Sequence, residues 1–258
     1  MTKIIKKYII PDSTDQDERF ASYFNQLGLM GLRNIYAHVI DSAVNEHMSY
    51  ADFLEAILTK QIIYKEDMRK TMRRIKARFP IERSIEDFDF SFPKVISESQ
   101  VRELFTFNAI RKGANVIFAG PPGVGKTHLA IALALAGIDN GLDVRYIALD
   151  DLMKNVRDIY KDALKTLRFV RALSAPDILV FDDIDYYVAD KETSIFMFEL
   201  VKKRVAHKKS MIFTTNNPLS EWDKLFMTKS RTAAALDRIT SNFVKVDING
   251  DSYRPHEN

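Results

Sequence analysis

The amino-acid sequence predicts an α/β fold, in which a five-stranded parallel sheet carries helices on both faces and is preceded by a small all-helical domain. Five short apolar runs of strand length are separated by helical segments in the larger, C-terminal part of the chain. A glycine-rich turn joins the first of these runs to an Ala/Leu-rich stretch of strong helix propensity. Upstream of them, apolar residues recur at three- and four-residue spacing, which indicates helices.

Composition limits the kinds of protein that this chain can be. Its 258 residues, 46% apolar and 28% charged, suffice for one full domain and a smaller module. Because the chain has no cysteine, disulfides and thiolate metal sites are excluded, and its histidines are too scattered to predict zinc. No apolar run reaches membrane-spanning length, and lysines interrupt the apolar N-terminal segment, so neither a membrane span nor a signal peptide is expected. We therefore expect a cytoplasmic protein with no membrane partner.

The first part of the chain divides into an arm and a helical domain. Residues 1–18 combine a short apolar segment with an acidic one, and we expect a frayed or partly ordered arm. Residues 19–79 carry apolar stripes at helical spacing, which are expected to pack as the core of a small helical domain. Within it, Ser49 is placed to cap a helix that begins ahead of Phe53.

The end of this helical domain is strongly basic. Between residues 60 and 78, eight lysines and arginines stand against only two acidic residues, although the net charge of the whole chain is +3. On a helix, several of these cations share one side, where they could follow a phosphate backbone. An ordinary solvated helix face is the alternative, but the excess of one sign is more than solubility needs. The predicted DNA contacts are Lys65, Arg69, Lys70, Arg73 and Arg74.

A linker separates the two domains. Phe79-Pro80 is predicted to end the basic helix, because proline cannot continue it. Residues 80–93, in which phenylalanines alternate with acidic or polar residues, are expected to be extended. Their rings are expected to pack on the following domain, and contact with a bound ligand is the alternative.

The second domain, residues 94–258, contains the predicted sheet. A helix over 97–114 is expected to lead into it. The predicted strands are residues 116–119, 144–148, 178–181, 211–214 and 243–246. Since helical segments separate the strands, we expect them to run parallel, with their carboxyl ends along one edge of the sheet.

The glycine-rich turn, Gly120-Pro-Pro-Gly-Val-Gly-Lys126-Thr127, has the pattern G-x-x-x-x-G-K-T between a strand and a helix. In this setting the backbone N–H groups of the turn and of the helix N-terminus point into one concavity, where a polyphosphate can accept from them. Lys126 is predicted to contact the β and γ phosphates, and the Thr127 hydroxyl to bind Mg²⁺. The turn therefore predicts a nucleoside-triphosphate site. Its predicted contacts are Gly120, Pro121, Pro122, Gly123, Val124, Gly125, Lys126, Thr127 and His128.

Polar residues end two of the other strands. Asp182 and Asp183 follow the third apolar run, and Asn216 follows the fourth. Because strand ends converge at the ligand in open α/β sheets, Asp182 is predicted to hold Mg²⁺ and Asp183 to act as the general base in attack on the γ phosphate. Asn216 is predicted to hold the attacking water or a phosphate oxygen. The alternative for Asp182 and Asp183 is that they simply end a strand. The alternative for Asn216 is that it belongs to a turn before Asn217-Pro218.

Arg238 lies in a helical segment and is a candidate arginine finger, which would reach the γ phosphate bound to a neighbouring copy. On the residues alone, a salt bridge to Asp237 or to another surface carboxylate is the competing interpretation. The two differ in whether the guanidinium acts within its own chain or across a subunit interface.

In this order the motifs resemble the AAA+ ATPases of the DnaC/IstB group, and within it the IstB helper proteins of insertion-sequence-21-type transposons. The phosphate loop, the acidic strand end and Thr214-Thr-Asn216 are shared with helicase loaders. The N-terminal helices, the Phe79-Pro80 break and Ser220-Glu-Trp222 favour the transposition helpers. The resemblance extends over residues 22–254.

The resemblance implies an activity and partners. Such proteins bind ATP and double-stranded DNA, form head-to-tail homo-oligomers and hand target DNA to a transposase. Arg238 stands at the family's arginine-finger position, and Asn216 stands at its sensor position. Arg254 belongs to a terminal G-x-S-x-R motif that the resemblance links to nucleotide sensing. The helpers usually have Asp-Glu where this chain has Asp182-Asp183, and the shorter side chain predicts slow hydrolysis.

A second basic segment fits the resemblance. Across residues 150–175, basic residues step by three and four as on one face of a helix, with apolar residues on another face. The resemblance implies that this region lies towards DNA, and an exposed face without a ligand is the alternative. The predicted contacts are Lys154, Arg157, Lys161, Lys165 and Arg168, with Arg171 next in the series.

Three functions are compatible with the sequence. The first is an ATP-dependent, sequence-nonspecific DNA-binding AAA+ ATPase that oligomerises on DNA and assists a transposase in target selection. In it, ATP lies between subunits, with Lys126 and Asp182 in one and Arg238 in the next. The second is a DnaC-like replicative helicase loader. The third is a small-molecule kinase, for which no acceptor site is evident.

Overall fold

The computed structural model describes residues 15–184, 190–222 and 229–253. The chain forms two compact units, residues 1–71 and 72–258. Within the described ranges, no helix has both the length and the apolar character needed to cross a membrane.

The first unit is helical. Its helices are α1 (Gln16–Leu27), α2 (Tyr36–Asn45) and the start of α3 (Tyr50–Ala77), which continues into the second unit. The Asp15 carboxylate caps α1 by accepting from the N–H of Asp17 at 2.9 Å, and Gly28, with φ at +65°, ends it. The predicted cap of α3 is confirmed, since Ser49 Oγ accepts from the N–H of Asp52 at 3.2 Å.

The second unit is built on a five-stranded sheet. Its strands are β1 (Asn115–Ala119), β2 (Val144–Ala148), β3 (Ile178–Asp182), β4 (Ser210–Thr215) and β5 (Phe243–Asp247). They lie in the order β2-β3-β4-β1-β5, and every neighbouring pair is parallel, as predicted. The apolar runs therefore identified the strands, and only their end residues differ.

Helices cover both faces of this sheet. They are α4 (Glu98–Leu104), α5 (Asn108–Arg111), α6 (Lys126–Asp139), α7 (Leu149–Ile159), α8 (Ala163–Ser174), α9 (Lys191–Ala206) and α10 (Lys229–Thr240), with a short 3-10 turn at Leu219–Glu221. Successive residues of β1 alternate between two apolar clusters. Val116 and Phe118 pack with α6, and Ile117 packs with α7 and α9. The three inner strands, β1, β3 and β4, are buried along their whole length, which is why they are largely apolar runs.

The segment 97–114, predicted as one helix, is broken into α4 and α5. Phe107 lies at the break in a left-handed conformation with φ at +60°, and its side chain is buried. Packing of this ring into the core therefore overrides the helical pattern of the sequence.

The basic residues of 150–175, which were predicted to line one helical face, do not lie on a single helix. The segment forms α7 and α8, with Lys161 between them. The break follows from Asp162, whose carboxylate caps α8 by accepting from the N–H groups of Leu164 and Lys165, each at 3.0 Å. The basic residues of this segment are therefore divided between two helices and their connection.

A buried arginine joins the amino ends of two central strands. Arg204, on α9, is fully buried. Its Nη1 donates to the carbonyls of Leu173 at 2.7 Å and Pro176 at 3.1 Å, and its Nη2 donates to those of Asp177 at 3.3 Å and Ser210 at 2.6 Å. Burial lowers the pKa of the Arg204 guanidinium, and the negative charge of Asp177 opposes that shift. One side chain thereby satisfies carbonyls at the starts of β3 and β4.

Candidate functional site

The phosphate loop connects β1 to α6, as the motif predicted. Gly123 and Gly125 have left-handed backbone conformations, with φ at +83° and +96°. A Cβ atom at Gly123 would lie 2.1 Å from Ser252 Oγ, and one at Gly125 would lie 2.5 Å from the ring of Phe88. Both positions therefore require glycine. Gly125 is also the N-cap of α6 and has no side chain to cap it, so the first N–H groups of this helix suit an anion.

Lys126 links the phosphate loop to the end of β4. Its side chain is buried, and Nζ donates to the Pro121 carbonyl at 2.8 Å and to Asn216 Oδ1 at 2.7 Å. The Nδ2 group of Asn216 donates to Asp183 Oδ1 at 3.4 Å. Three residues predicted to be catalytic thus lie together at the carboxyl edge of the sheet.

Asp182 is surrounded by hydroxyl donors. Thr127 and Thr214 donate to Oδ1 at 2.9 and 2.6 Å. The hydroxyl of Tyr146 donates to Oδ2 at 2.7 Å. Because both oxygens of this buried carboxylate accept hydrogen bonds, its orientation is defined.

Asp183 begins a turn immediately after β3. Its φ of +58° is left-handed, a conformation that aspartate tolerates better than most residues. The N–H of Asp183 donates to Thr214 Oγ1 at 2.8 Å, while that hydroxyl donates to Asp182. Thr214 therefore connects both acidic residues to the end of β4.

Tyr146 was not predicted from the sequence to be a site residue. It lies within β2, opposite Val180 of β3. A tyrosine inside a strand is ordinary, and only the pairing of β2 with β3 brings its hydroxyl to Asp182. Burial, together with the negative charge of Asp182, raises the pKa of Tyr146, so the hydroxyl stays protonated and donates at neutral pH.

The donors at Asp182 suit a hard divalent cation. The Thr127 hydroxyl and the Asp182 carboxylate supply oxygen, which Mg²⁺ prefers, and they are in hydrogen-bond contact. In the described ranges, no group of three or more His, Cys, Asp or Glu side chains could hold a metal without help. The pair therefore fits an Mg²⁺ ion that takes its other ligands from phosphates and water.

A cavity of about 400 Å³ lies beside the phosphate loop. Asn216, Tyr253 and residues of the predicted linker, including Phe88 and Phe92, form its other walls. The rings of Phe92 and Tyr253 pack edge to face at 4.8 Å. The volume is in the range of small-molecule sites.

The linker is attached to α6 through His128, a predicted nucleotide contact. His128 Nε2 lies 2.7 Å from the Ser84 carbonyl oxygen, and its ring packs against Phe88 at 5.5 Å. Phe88 and Phe90 both pack against the apolar cluster of α6, so the predicted packing role of the linker rings is confirmed.

Arg238, on α10, contacts its own chain. Its Nη1 donates to the Ala234 carbonyl at 2.6 Å, and its guanidinium lies 5.3 Å from the centre of the Phe198 ring. The alternative salt bridge to Asp237 does not occur in the described part of the chain. Arg254, another predicted nucleotide contact, lies outside the described residues.

The residues predicted to contact DNA differ in whether they form ion pairs within the chain. The ion pairs are Arg69–Glu66, Arg73–Asp143, Arg74–Asp139, Arg157–Asp190 and Lys165–Asp162. Lys65, Lys70, Lys154, Lys161 and Arg168 form no ion pair with a described residue. Arg73 and Arg74 thus bind the second unit's own carboxylates, whereas Lys154, Lys161 and Arg168 present exposed, unpaired charge.

Known proteins are similar to this chain in sequence and in fold. The sequence model of the IstB-like ATP binding protein family matches residues 22–258. The chain is 32% identical over 90% of its length to an ATP-binding protein of insertion sequence IS21 from Pseudomonas aeruginosa, of which it covers 88%. It is 29% identical over 93% of its length to an ATP-binding protein of insertion sequence IS5376 from Geobacillus stearothermophilus, of which it covers 95%. The names of both relatives give ATP binding as inferred. A crystal structure of the DnaC helicase loader aligns with 64% of this chain and 96% of its own, at a TM-score of 0.54 and 20% identity, which shows a common fold.

Proposed function

Because the chain belongs to the IstB-like ATP-binding protein family, we propose that it is an ATPase that assembles on double-stranded DNA and assists a transposase in choosing its target. The observation that carries the proposal is the convergence of Lys126, Asp182 and Asn216 beside the phosphate loop. Its relatives are named as ATP-binding proteins of insertion sequences, which supports a transposase as the proposed partner.

The proposed roles follow from these contacts. Lys126 binds the β and γ phosphates. Its ammonium group then donates to phosphate oxygens in place of the Pro121 carbonyl and Asn216 Oδ1. Thr127 and Asp182 hold Mg²⁺, which neutralises charge on the β and γ phosphates when bound. Asp183 accepts the proton of the attacking water, and Asn216 orients that water or a γ-phosphate oxygen.

Assembly is proposed to depend on a bound nucleotide between two copies. Arg238 of one copy contacts the γ phosphate held by Lys126 of the next. To do so its half-buried guanidinium leaves the Phe198 ring and the Ala234 carbonyl, and the bond to the γ phosphate replaces these contacts. Hydrolysis then removes its partner and loosens the assembly.

DNA binding is proposed to be sequence-nonspecific, because the proposed contacts join lysine and arginine side chains to phosphates, which carry no sequence information. The exposed, unpaired cations of α7, α8 and their connection support such contacts. In α3, Arg73 and Arg74 are already paired, so its contribution falls mainly to Lys65 and Lys70.

Arg238→Ala is expected to leave ATP binding unchanged and to lower hydrolysis by about 1000-fold, the smaller end of what arginine fingers contribute. Asp183→Asn is expected to be similarly inactive, because it lacks the base. Mixing the two variants should restore turnover, since some interfaces then combine an intact Asp183 with an intact Arg238. Phosphate release at constant total protein measures this.

The matched control for the mixture is Arg33→Ala, which removes an exposed arginine from the first unit and should retain full turnover. Two inactive variants that stay inactive when mixed would show that Arg238 does not act across an interface.

Lys154→Ala combined with Arg168→Ala is expected to weaken binding to duplexes of any sequence. Each lost phosphate contact lowers the slope of log K against log salt by about 0.9, so the slope should fall by nearly two. Fluorescence anisotropy of labelled duplexes at several salt concentrations, with a non-hydrolysable ATP analogue, measures it.

Lys112→Ala combined with Lys202→Ala is the control for that experiment, because it removes the same charge from exposed sites outside α7 and α8. An equal change of slope in both double variants would mean that only net charge matters.

A helicase loader is the second candidate, since the chain shares its fold with DnaC. The fold does not separate the two functions. The family match, which begins at residue 22 and so includes the N-terminal helices, favours the transposition helper. Co-purification with a hexameric helicase, together with preference for single-stranded DNA, would select the loader.

A further inference from the structure

Tyr146 belongs to none of the nucleotide-binding motifs, yet its hydroxyl reaches the carboxylate predicted to hold Mg²⁺. The hydroxyl donates to Asp182 Oδ2 at 2.7 Å, whereas Thr127 and Thr214 both donate to Oδ1. Of these three hydrogen bonds, only the one from Tyr146 is accepted by Oδ2. Rotation of the carboxylate about Cβ–Cγ would break it.

We propose that Tyr146 is a positioning residue, which holds Oδ2 of Asp182 so that Oδ1 faces Thr127 and the magnesium position. The inference rests on the proposed function and adds a residue to its site. Ligating carboxylates are themselves hydrogen-bonded, and loss of such an outer partner typically lowers metal affinity or activity by about 10- to 100-fold.

The surroundings of the Tyr146 ring are formed by residues at and just after the end of α3. The Phe79 ring packs on the Tyr146 ring at 6.0 Å, and the neighbouring Arg145 donates from Nη1 to the Lys76 carbonyl at 2.7 Å. Both rings pack against the apolar cluster of α6, which holds the ring of Tyr146 on one side. The hydroxyl is thereby aimed at Asp182, and the contact connects the end of the basic helix to the magnesium position.

The test removes the hydroxyl and keeps the ring. For Tyr146→Phe, the Mg²⁺ concentration that gives half-maximal binding of a fluorescent ATP analogue is expected to rise about 10-fold or more. Binding of the same analogue in EDTA is expected to stay unchanged, because the contacts of Lys126 and the loop remain. A general loss of structure would weaken binding in both conditions, so the difference between them isolates positioning.

Two further variants complete the test. Tyr160→Phe, an exposed tyrosine at the end of α7, is the matched control and should retain the Mg²⁺ dependence of the natural protein. Phe79→Leu keeps the phenol but removes the ring that packs on it. A smaller rise in the Mg²⁺ concentration for half-maximal binding is therefore expected. This variant replaces Tyr146→Phe in the test if Tyr146→Phe does not fold.

The outcomes separate this inference from the proposed function. If the natural protein binds the analogue with no dependence on Mg²⁺, the magnesium site itself is disproved, and the inference with it. If the natural protein depends on Mg²⁺ and Tyr146→Phe has the same dependence, only the positioning role is overturned.

Discussion

Lys126→Ala is expected to weaken ATP binding by at least about 100-fold and to abolish ATP-dependent assembly on DNA. The Lys126 ammonium is buried beside the phosphate loop, where water screens its charge poorly. Hydrogen bonds to charged groups contribute about 1.5–3 kcal/mol each, and contacts to two phosphates together correspond to about 100-fold or more. The alanine also leaves Asn216 without its lysine donor.

Binding of a fluorescent ATP analogue measures the first effect, and electron microscopy or sedimentation with duplex DNA and a non-hydrolysable analogue measures the second. Lys112→Ala, at an exposed position before β1, should behave like the natural protein in both. Undiminished assembly of Lys126→Ala on DNA would be incompatible with a nucleotide-dependent switch.

Arg204→Met is expected to lower the free energy of unfolding of the second unit by about 3–5 kcal/mol, the usual cost of removing one partner from a buried charged network. Methionine fills much of the same space but cannot donate. The carbonyls of Leu173, Asp177 and Ser210 would lose a buried donor where β3 and β4 begin. For a domain of this size, such a loss lowers Tm by roughly 10 °C.

Thermal and urea unfolding check this expectation. Lys202→Met changes an exposed residue two positions earlier on α9, whose ion pair with Glu199 spans 3.7 Å, and should cost less than about 1 kcal/mol. Similar losses for the two variants would show that the carbonyl contacts of Arg204 are not what stabilises the unit.

Local patterns were sufficient for the strands and for the phosphate loop. The apolar runs that form β1, β3 and β4 are buried along their whole length in a parallel sheet, so a short apolar run indicated a strand at these places. The glycines at Gly123 and Gly125 are dictated by backbone conformation and close contacts, which makes the spacing of the motif specific. Helix boundaries were predicted less well, because Phe107 and Asp162 break helices through core packing and capping, which outweigh periodicity.

Short spacings along the chain were enough to identify the phosphate loop, the polar residues where β3 and β4 end, and an ATP-binding family. Tertiary structure alone decided that Tyr146 donates to Asp182, 36 residues away, and that Arg73 pairs with Asp143. The physical reason is that such bonds form across neighbouring strands and packed helices. Which side chains meet there is set by strand order and burial, and no local pattern encodes either.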